Sequence, residues 1–322
     1  MFAFARSLLL LLALLAAAGN ASAQAYPSRP IRILVPALPG DSCDILSRLI
    51  GQKMGERLGQ QLVVDNRPGA SGTIGLAMAA QATPDGYTLA CGQGGNMSVI
   101  PHSMKDVPYD ALKDFSAVAL FATNYLALVV NPNLPIKTVD DLIRYARANP
   151  GKVSFASNGE GAFLHFAAEL FRTQAGITYL HVPFKGVAQM ATELMGGRVD
   201  AAFSSFTGVY PYVKGGRLRL LGIARLKRVE NYPDVPAIAE TLPGFDVSSW
   251  IGLALPTGTP ADIVKKSSDV ILEAAKDPAV VEKMKTIGAV ANVKNPEEFR
   301  AFMQADYEKW QRVIKANGIS VD

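Results

Sequence analysis

Apolar residues in this chain come in short runs closed by glycine-, proline- and asparagine-rich breaks, and the runs alternate between two periods. Ile31 to Val35 is a compact apolar run ended by Pro36 and the turn Leu38-Pro39-Gly40, which predicts a strand. Asp41 or Ser42 then caps a helix whose one face carries Ile45, Leu46, Leu49, Ile50, Met54 and Leu58, and Gly59 stops it. Gln61 to Val64 is the next strand. A loop through Asn66-Arg67-Pro68-Gly69-Ala70-Ser71-Gly72 leads into a helix ending near Gln81. Pro84-Asp85-Gly86 turns into a strand at Tyr87 to Cys91. Strand-helix-strand-helix-strand implies a parallel sheet with right-handed crossovers.

The same grammar restarts at Leu126 to Val130, a strand, followed by a helix at Thr138 to Ala148 with Thr138 as cap. A strand at Val153 to Ala156 and the loop Ser157-Asn158-Gly159-Glu160-Gly161 precede a helix from Phe163 to Gln174. Strands at Tyr179 to Val182, Val199 to Phe203 and Leu218 to Ala224 alternate with helical stretches at Ala188 to Met195 and Tyr210 to Lys214. The last segment holds a strand at Ser248 to Leu255 and two helices, Ala261 to Lys276 and Pro296 to Lys315, with no strands of their own to cover. They are expected to return to the first half. The chain then crosses between halves near Thr123-Asn124 and near Val247-Ser248. The expected architecture is a two-lobed α/β fold of two mixed sheets flanked by helices, with a double-crossover hinge. Residues 24–123 plus 248–322 form one lobe and 124–247 the other, and the cleft between them is the natural ligand site.

Residues 1–23 are set apart from this pattern. Arg6 precedes the apolar run Leu8 to Ala18, and Ala21-Ser22-Ala23 has the small-x-small form of a cleavage site, so a secretory signal peptide cut near Ala23 and a periplasmic location are expected. The apolar run is too short to cross roughly 30 Å of hydrocarbon, and no cysteine stands at the cut for a lipid anchor. The remainder, about 300 residues, is too long for one simple core and suits two lobes. A net charge of +4 without a dense basic stripe excludes nucleic acid as a partner. The two cysteines, Cys43 and Cys91, each follow an expected strand in the same half; they form either a bridge or two separate small thiols.

In open α/β sheets ligands bind beyond the carboxyl ends of the strands. The residues found there are Pro39-Gly40-Asp41-Ser42, Gly92-Gln93-Gly94-Gly95-Asn96, the Ser157 to Gly161 loop and Ser204-Ser205. Glycine lets a ligand approach the backbone, and a helix start offers free N–H groups to an anion. Lys185 either pairs with a carboxylate or is an exposed turn residue. Phe184 either stacks on a ring or packs on its lobe, and Trp250 either walls the cleft or packs at the hinge. His165 and Glu169, spaced i, i+4, do not make the two-histidine zinc motif, and a capping or core hydrogen bond is expected of His165. No nucleophile elbow, metal cluster or phosphate-loop lysine motif is found, so neither an enzyme nor a cofactor or metal is expected.

Several runs stand in a telling order: YPSRPIRILVP from Tyr26 with the following Pro39-Gly40 turn and Asp44, DNRPGASGTIG from Asp65, PDGYTL from Pro84, SNGEGAFLHFAAELF from Ser157, HVPFKG from His181, GGRVDAAF from Gly196 and SSWIGLALP from Ser248. By these runs the chain resembles, over essentially its full length past the leader, the substrate-binding proteins of tripartite tricarboxylate transporters, the Bug family. The resemblance implies a class II periplasmic-binding-protein fold and a monomer that captures a small carboxylate solute for membrane permease subunits of such a transporter. It implies ligand contacts at Pro39, Gly40, Asp41 and Ser42 in the first lobe and at Ser157, Asn158, Gly161, Gly186, Val187 and Ser204 in the second; Gln93 and Phe184 join these candidates from the strand-end reading. Where the family often has a glycine pair after the proline, this chain has Gly40-Asp41. A carboxylate beside an anion site is costly unless it caps the helix or faces away. An aromatic acid, an ammonium-bearing amino acid or a neutral amide is then a better fit than a plain dicarboxylate.

Overall fold

The computed structural model describes residues 26–230 and 232–317. The expected signal segment, 1–23, lies outside them.

The first strand, β1 (Ile31–Val35), is followed by α1 (Ser42–Leu58), β2 (Leu62–Asn66), α2 (Thr73–Ala80) and β3 (Thr88–Gln93). Strands β2, β1 and β3 pair in parallel, in that order. Asp41 is the N-cap of α1, and Gly59 closes it in the left-handed conformation with φ 65°. A π-helical turn over Gly95–Val99 runs into the short α3 (Ile100–Ser103).

The chain then enters β4 (Phe115–Val130), a strand of 16 residues. The expected strand at Leu126 to Val130 is only its distal end. Val118 to Ala122 are buried without alternation, so this part of β4 lacks the two-residue period that marks a half-exposed strand in sequence. The remaining elements are α4 (Val139–Ala148), β5 (Ser154–Ser157), α5 (Phe163–Ala175), β6 (Leu180–Pro183), α6 (Val187–Met195), β7 (Ala201–Ser205), α7 (Phe206–Lys214) and β8 (Arg219–Ile223). Helix α4 starts with a full capping box between Thr138 and Asp141, worth on the order of 1 kcal/mol. The chain ends with β9 (Ser248–Pro256), α8 (Ala261–Lys276), α9 (Pro278–Thr286), β10 (Ala289–Lys294) and α10 (Pro296–Asn317).

The strands follow the path β2-β1-β3-β9-β4-β7-β5-β6, with β8 and β10 also paired to β4. Two mixed sheets share β4: its first part pairs antiparallel with β9 and β10, and Leu126 to Val130 pair antiparallel with β7 and β8. The two expected crossing points are neighbours in the ladder, Asn124 opposite Ser249 and Tyr125 opposite Ser248.

Separate apolar cores underlie the two sheets. One packs Ile33, Leu46, Ile50 and Met54 of the first half against Leu253, Ile271 and Met284. The other gathers Phe155, Phe166, Phe171, Phe203 and Phe245 of the second half. Two expectations need correction at the C-terminal end. The last helices do have a strand of their own, β10, which extends the first sheet along β4. Helix α10 also spans both halves: Phe299 and Met303 join a core with Trp250, while Trp310 packs edge-on against Phe163 and Phe166 of α5.

Candidate ligand-binding cleft

A cavity of about 710 Å³ lies between the two halves, within the 300–1,000 Å³ range of small-molecule sites. Its walls are strand-end loops and helix starts. The first half contributes Pro36 to Pro39 and Asp41 after β1, Pro68 to Gly72 after β2, and Gln93, Gly95 and Asn96 after β3. The second half contributes Asn158 to Glu160 after β5, Ala162 and Phe163 at the start of α5, Phe184 to Gly186 after β6, and Val187 to Gln189 in the first turn of α6.

Backbone packing brings these loops together. Gly72 has φ +94°, a conformation that side chains other than glycine's rarely adopt, and a Cβ there would lie 3.0 Å from the Pro36 carbonyl oxygen. A Cβ on Gly75 would lie 2.6 Å from the Arg67 carbonyl oxygen and 2.9 Å from Pro36 Cα. The two glycines let α2 settle onto the end of β1, so the loops after β1 and β2 form one wall. The disulfide Cys43–Cys91, with Cα atoms 6.4 Å apart, ties the start of α1 to β3 behind that wall. It resolves the open question of the two cysteines in favour of a bridge.

The four helix starts at the cleft are not alike. Helix α1 is capped by the Asp41 carboxylate, whose Oδ1 accepts from the Cys43 N–H at 3.0 Å, the Gln93 amide at 3.1 Å and the Ser42 hydroxyl at 3.4 Å. Helices α2, α5 and α6 begin at Gly72, Ala162 and Gly186 without a side-chain cap. Burial pushes the Asp41 carboxyl above the usual carboxylate range, against its three hydrogen bonds. One turn on, Asp44 behaves oppositely. Burial raises its pKa, but Arg48 and the Gly40 N–H outweigh that and hold it below the usual range. Asp44 accepts from Gly40 N at 2.9 Å and from Arg48 Nε at 2.9 Å, which fixes the turn into α1.

On the second-lobe side, the loop after β5 rests on a histidine pair. The Ser157 Oγ and His181 Nε2 are 2.7 Å apart, and Ser157 Oγ donates to the Gly159 carbonyl at 2.9 Å. His165 Nδ1 accepts from the Gly161 N–H at 3.2 Å, just ahead of α5, a local hydrogen bond of the kind expected of it. The two imidazoles stack, with centroids 3.7 Å apart and planes 6° from parallel. Burial lowers both pKa values, and for His181 burial and the neighbouring His165 bring it to about 4.

The sequence candidates divide by position. Pro39, Asp41, Gln93, Asn158, Phe184, Gly186 and Val187 line the cavity. Gly40, Ser42, Ser157, Gly161 and Ser204 do not; Gly40, Ser42, Ser157 and Gly161 bond within the loops that carry the lining residues. Ser204 is fully buried in β7 opposite Ala127, and its Oγ has no hydrogen-bond partner among the described residues. Phe184 both lines the cavity and packs on the second-half core. Lys185 lines the cavity as well. Trp250 does not: its Nε1 donates to Asp306 at 2.8 Å and its ring packs edge-on against Phe299. The sequence reading left out the Pro68 to Gly72 wall, although the strand-end rule applied to β2 would have found it. Asn96, in the strand-end loop after β3, lines the cavity as its position implied, whereas Phe163 was not singled out. Among the described residues, no three His, Cys, Asp or Glu side chains are grouped to hold a metal.

Two mixed sheets sharing one long strand, with a cavity among the strand-end loops of both, define the two-lobed binding-protein fold. The model of the tripartite tricarboxylate transporter family receptor matches residues 46–319. Protein BugT of Bordetella pertussis is 35% identical over 94% of this chain and 93% of its own length. The solved structure of R. palustris Rpa4515 with adipate superposes with a TM-score of 0.88 at 32% identity, covering 92% of this chain and 99% of that one. MatC (Rpa3494) from Rhodopseudomonas palustris with bound malate gives 0.85 at 28% identity, over 90% and 100%. The chain belongs to the tripartite tricarboxylate transporter receptor family and is a periplasmic solute-binding protein of the Bug type.

Proposed function

We propose that this protein captures a small carboxylate-bearing solute in the periplasm and hands it to the membrane permease subunits of a tripartite tricarboxylate-type transporter, without transforming it. The observation that carries this reading is the cavity walled on both sides by helix starts, three of which lack a side-chain cap. Unspent backbone N–H groups and the helix dipole favour a carboxylate there without arginine. The adipate and malate held by the two solved relatives support the ligand class. The leader at residues 1–23 supports export, and among the described residues no helix is long and apolar enough to cross a membrane.

The lobes are assigned to 24–123 plus 248–322 and to 124–247, with the hinge where β4 and β9 run side by side. Ligand closes them because the closed form adds contacts from the second wall. Lining residues from both lobes then act together: Pro39, Asp41 and Gln93 from one, Asn158, Phe184, Gly186 and Val187 from the other.

Thermal melting of the chain lacking residues 1–23 against malate, adipate, aromatic acids and amino acids tests the reading. A true ligand at one hundred times its Kd adds about 2.7 kcal/mol of stability. A panel in which no carboxylate raises Tm would contradict solute capture. Retention of permease subunits from solubilised membranes by the liganded, immobilised protein tests delivery.

A further inference from the structure

We infer that the solute carries a positively charged nitrogen as well as its carboxylate, and that Asp41 selects for it. The inference rests on the capture reading above and narrows its ligand class.

All the hydrogen bonds recorded at the Asp41 carboxylate end on Oδ1. Its Oδ2 has no donor among the described residues, in a side chain that lines the cavity. The Asp41 Oδ2 is therefore an acceptor left for a ligand N–H in the cleft. A hydrogen bond to a charged acceptor is about twice as strong as a neutral one, so a ligand ammonium there gains more than a neutral group would.

Charge points the same way. The charged residues lining the cavity are Asp41, Glu160 and Lys185, two carboxylates against one ammonium. A dianion entering that wall meets a net negative surface in a partly desolvated site, where like charges repel most. A zwitterion does not. Its carboxylate is served by the uncapped starts of α2 and α6, and its ammonium by Asp41. Burial already disfavours the charged form of Asp41, and a cation beside it reverses that penalty.

Two matched pairs of probes test this at neutral pH by calorimetric titration: adipate against 6-aminohexanoate, and 3-phenylpropanoate against phenylalanine. The wild-type chain is expected to bind the amino member of at least one pair tenfold or more tighter. Asp41→Asn keeps a capping side chain and removes the charge, and is expected to erase that preference. Asp41→Gly, a change that at a cap costs little stability, is expected to let adipate bind at least as well as 6-aminohexanoate. The inference is overturned if the amino member is not preferred in either pair, or if the preference survives in Asp41→Asn. It is also overturned if the wild type binds neither amino member; stabilisation by another carboxylate in the melting panel then still leaves solute capture standing.

Discussion

Gly95 and Phe163 meet across the cleft so closely that a Cβ on the glycine would lie 2.8 Å from the phenylalanine Cβ. Gly95 belongs to the turn after β3, and Phe163 opens α5 in the other half. The clashing atom is near the backbone and cannot swing aside. Gly95→Ala is therefore expected to hold the halves apart and weaken ligand binding by at least tenfold, with little change in the ligand-free melting temperature. Gly186→Ala is the control. Its Cβ would clash only with the end of the Leu38 side chain, Cδ1 at 2.8 Å, which can rotate away, so binding is expected to fall by less. Titration of both variants with one ligand checks the order.

The stacked pair His165 and His181 makes stability depend on pH. His181 titrates near 4 in the folded chain, against about 6.5 when unfolded. The unfolded chain therefore binds more protons between those values, and stability rises with pH across that window. It is complete above about pH 6.5 and lost as pH falls towards 4. With screening at this partly exposed ring discounted, the loss is about 1–2 kcal/mol. Urea melts at pH 7.5 and 5.0 are expected to differ less for His181→Gln than for the wild type.

Reducing the Cys43–Cys91 bridge frees the start of α1 from β3. The expected cost is about 2–4 kcal/mol, read as a lower Tm in reductant. The double Cys→Ala variant is expected to melt low with or without reductant.

Asp44 anchors the Gly40 N–H and Arg48 at the entry to α1. Its folded pKa is lowered, so its contribution is present above the ordinary carboxylate value, about 3.9, and fades as pH drops through the folded value. Asp44→Ala is expected to cost about 1–3 kcal/mol in a urea melt at neutral pH and to weaken binding by loosening the wall that carries Asp41.

Much of this arrangement was legible in sequence because each strand end is marked by glycine and proline. The loops at Pro39 to Ser42, Gln93 and Ser157 to Gly161 follow from that, and α1 is capped by Asp41, one of its two candidate caps, and closed by the expected Gly59. What escaped was non-local. The core run Val118 to Ala122 has no period to read, so most of β4 was missed, and β10 became visible only through its pairing with β4. Ser204 follows its strand in sequence as the other candidates do, yet β7 lies between β4 and β5 and buries it. That Asp41 caps the helix while still lining the cavity depends on which of its oxygens the neighbours occupy. The second-half loop likewise rests on His181, whose bond to Ser157 bridges two strands and has no sequence spacing to announce it.

The most direct test blocks the cleft. Ala188 is exposed and lines the cavity at the start of α6, so Ala188→Trp fills the space without disturbing either core. Calorimetric titration with the best carboxylate from the melting panel is expected to show one site per chain in the wild type and no binding in Ala188→Trp, at equal ligand-free Tm. Undiminished one-to-one binding in the blocked variant would contradict capture between the lobes.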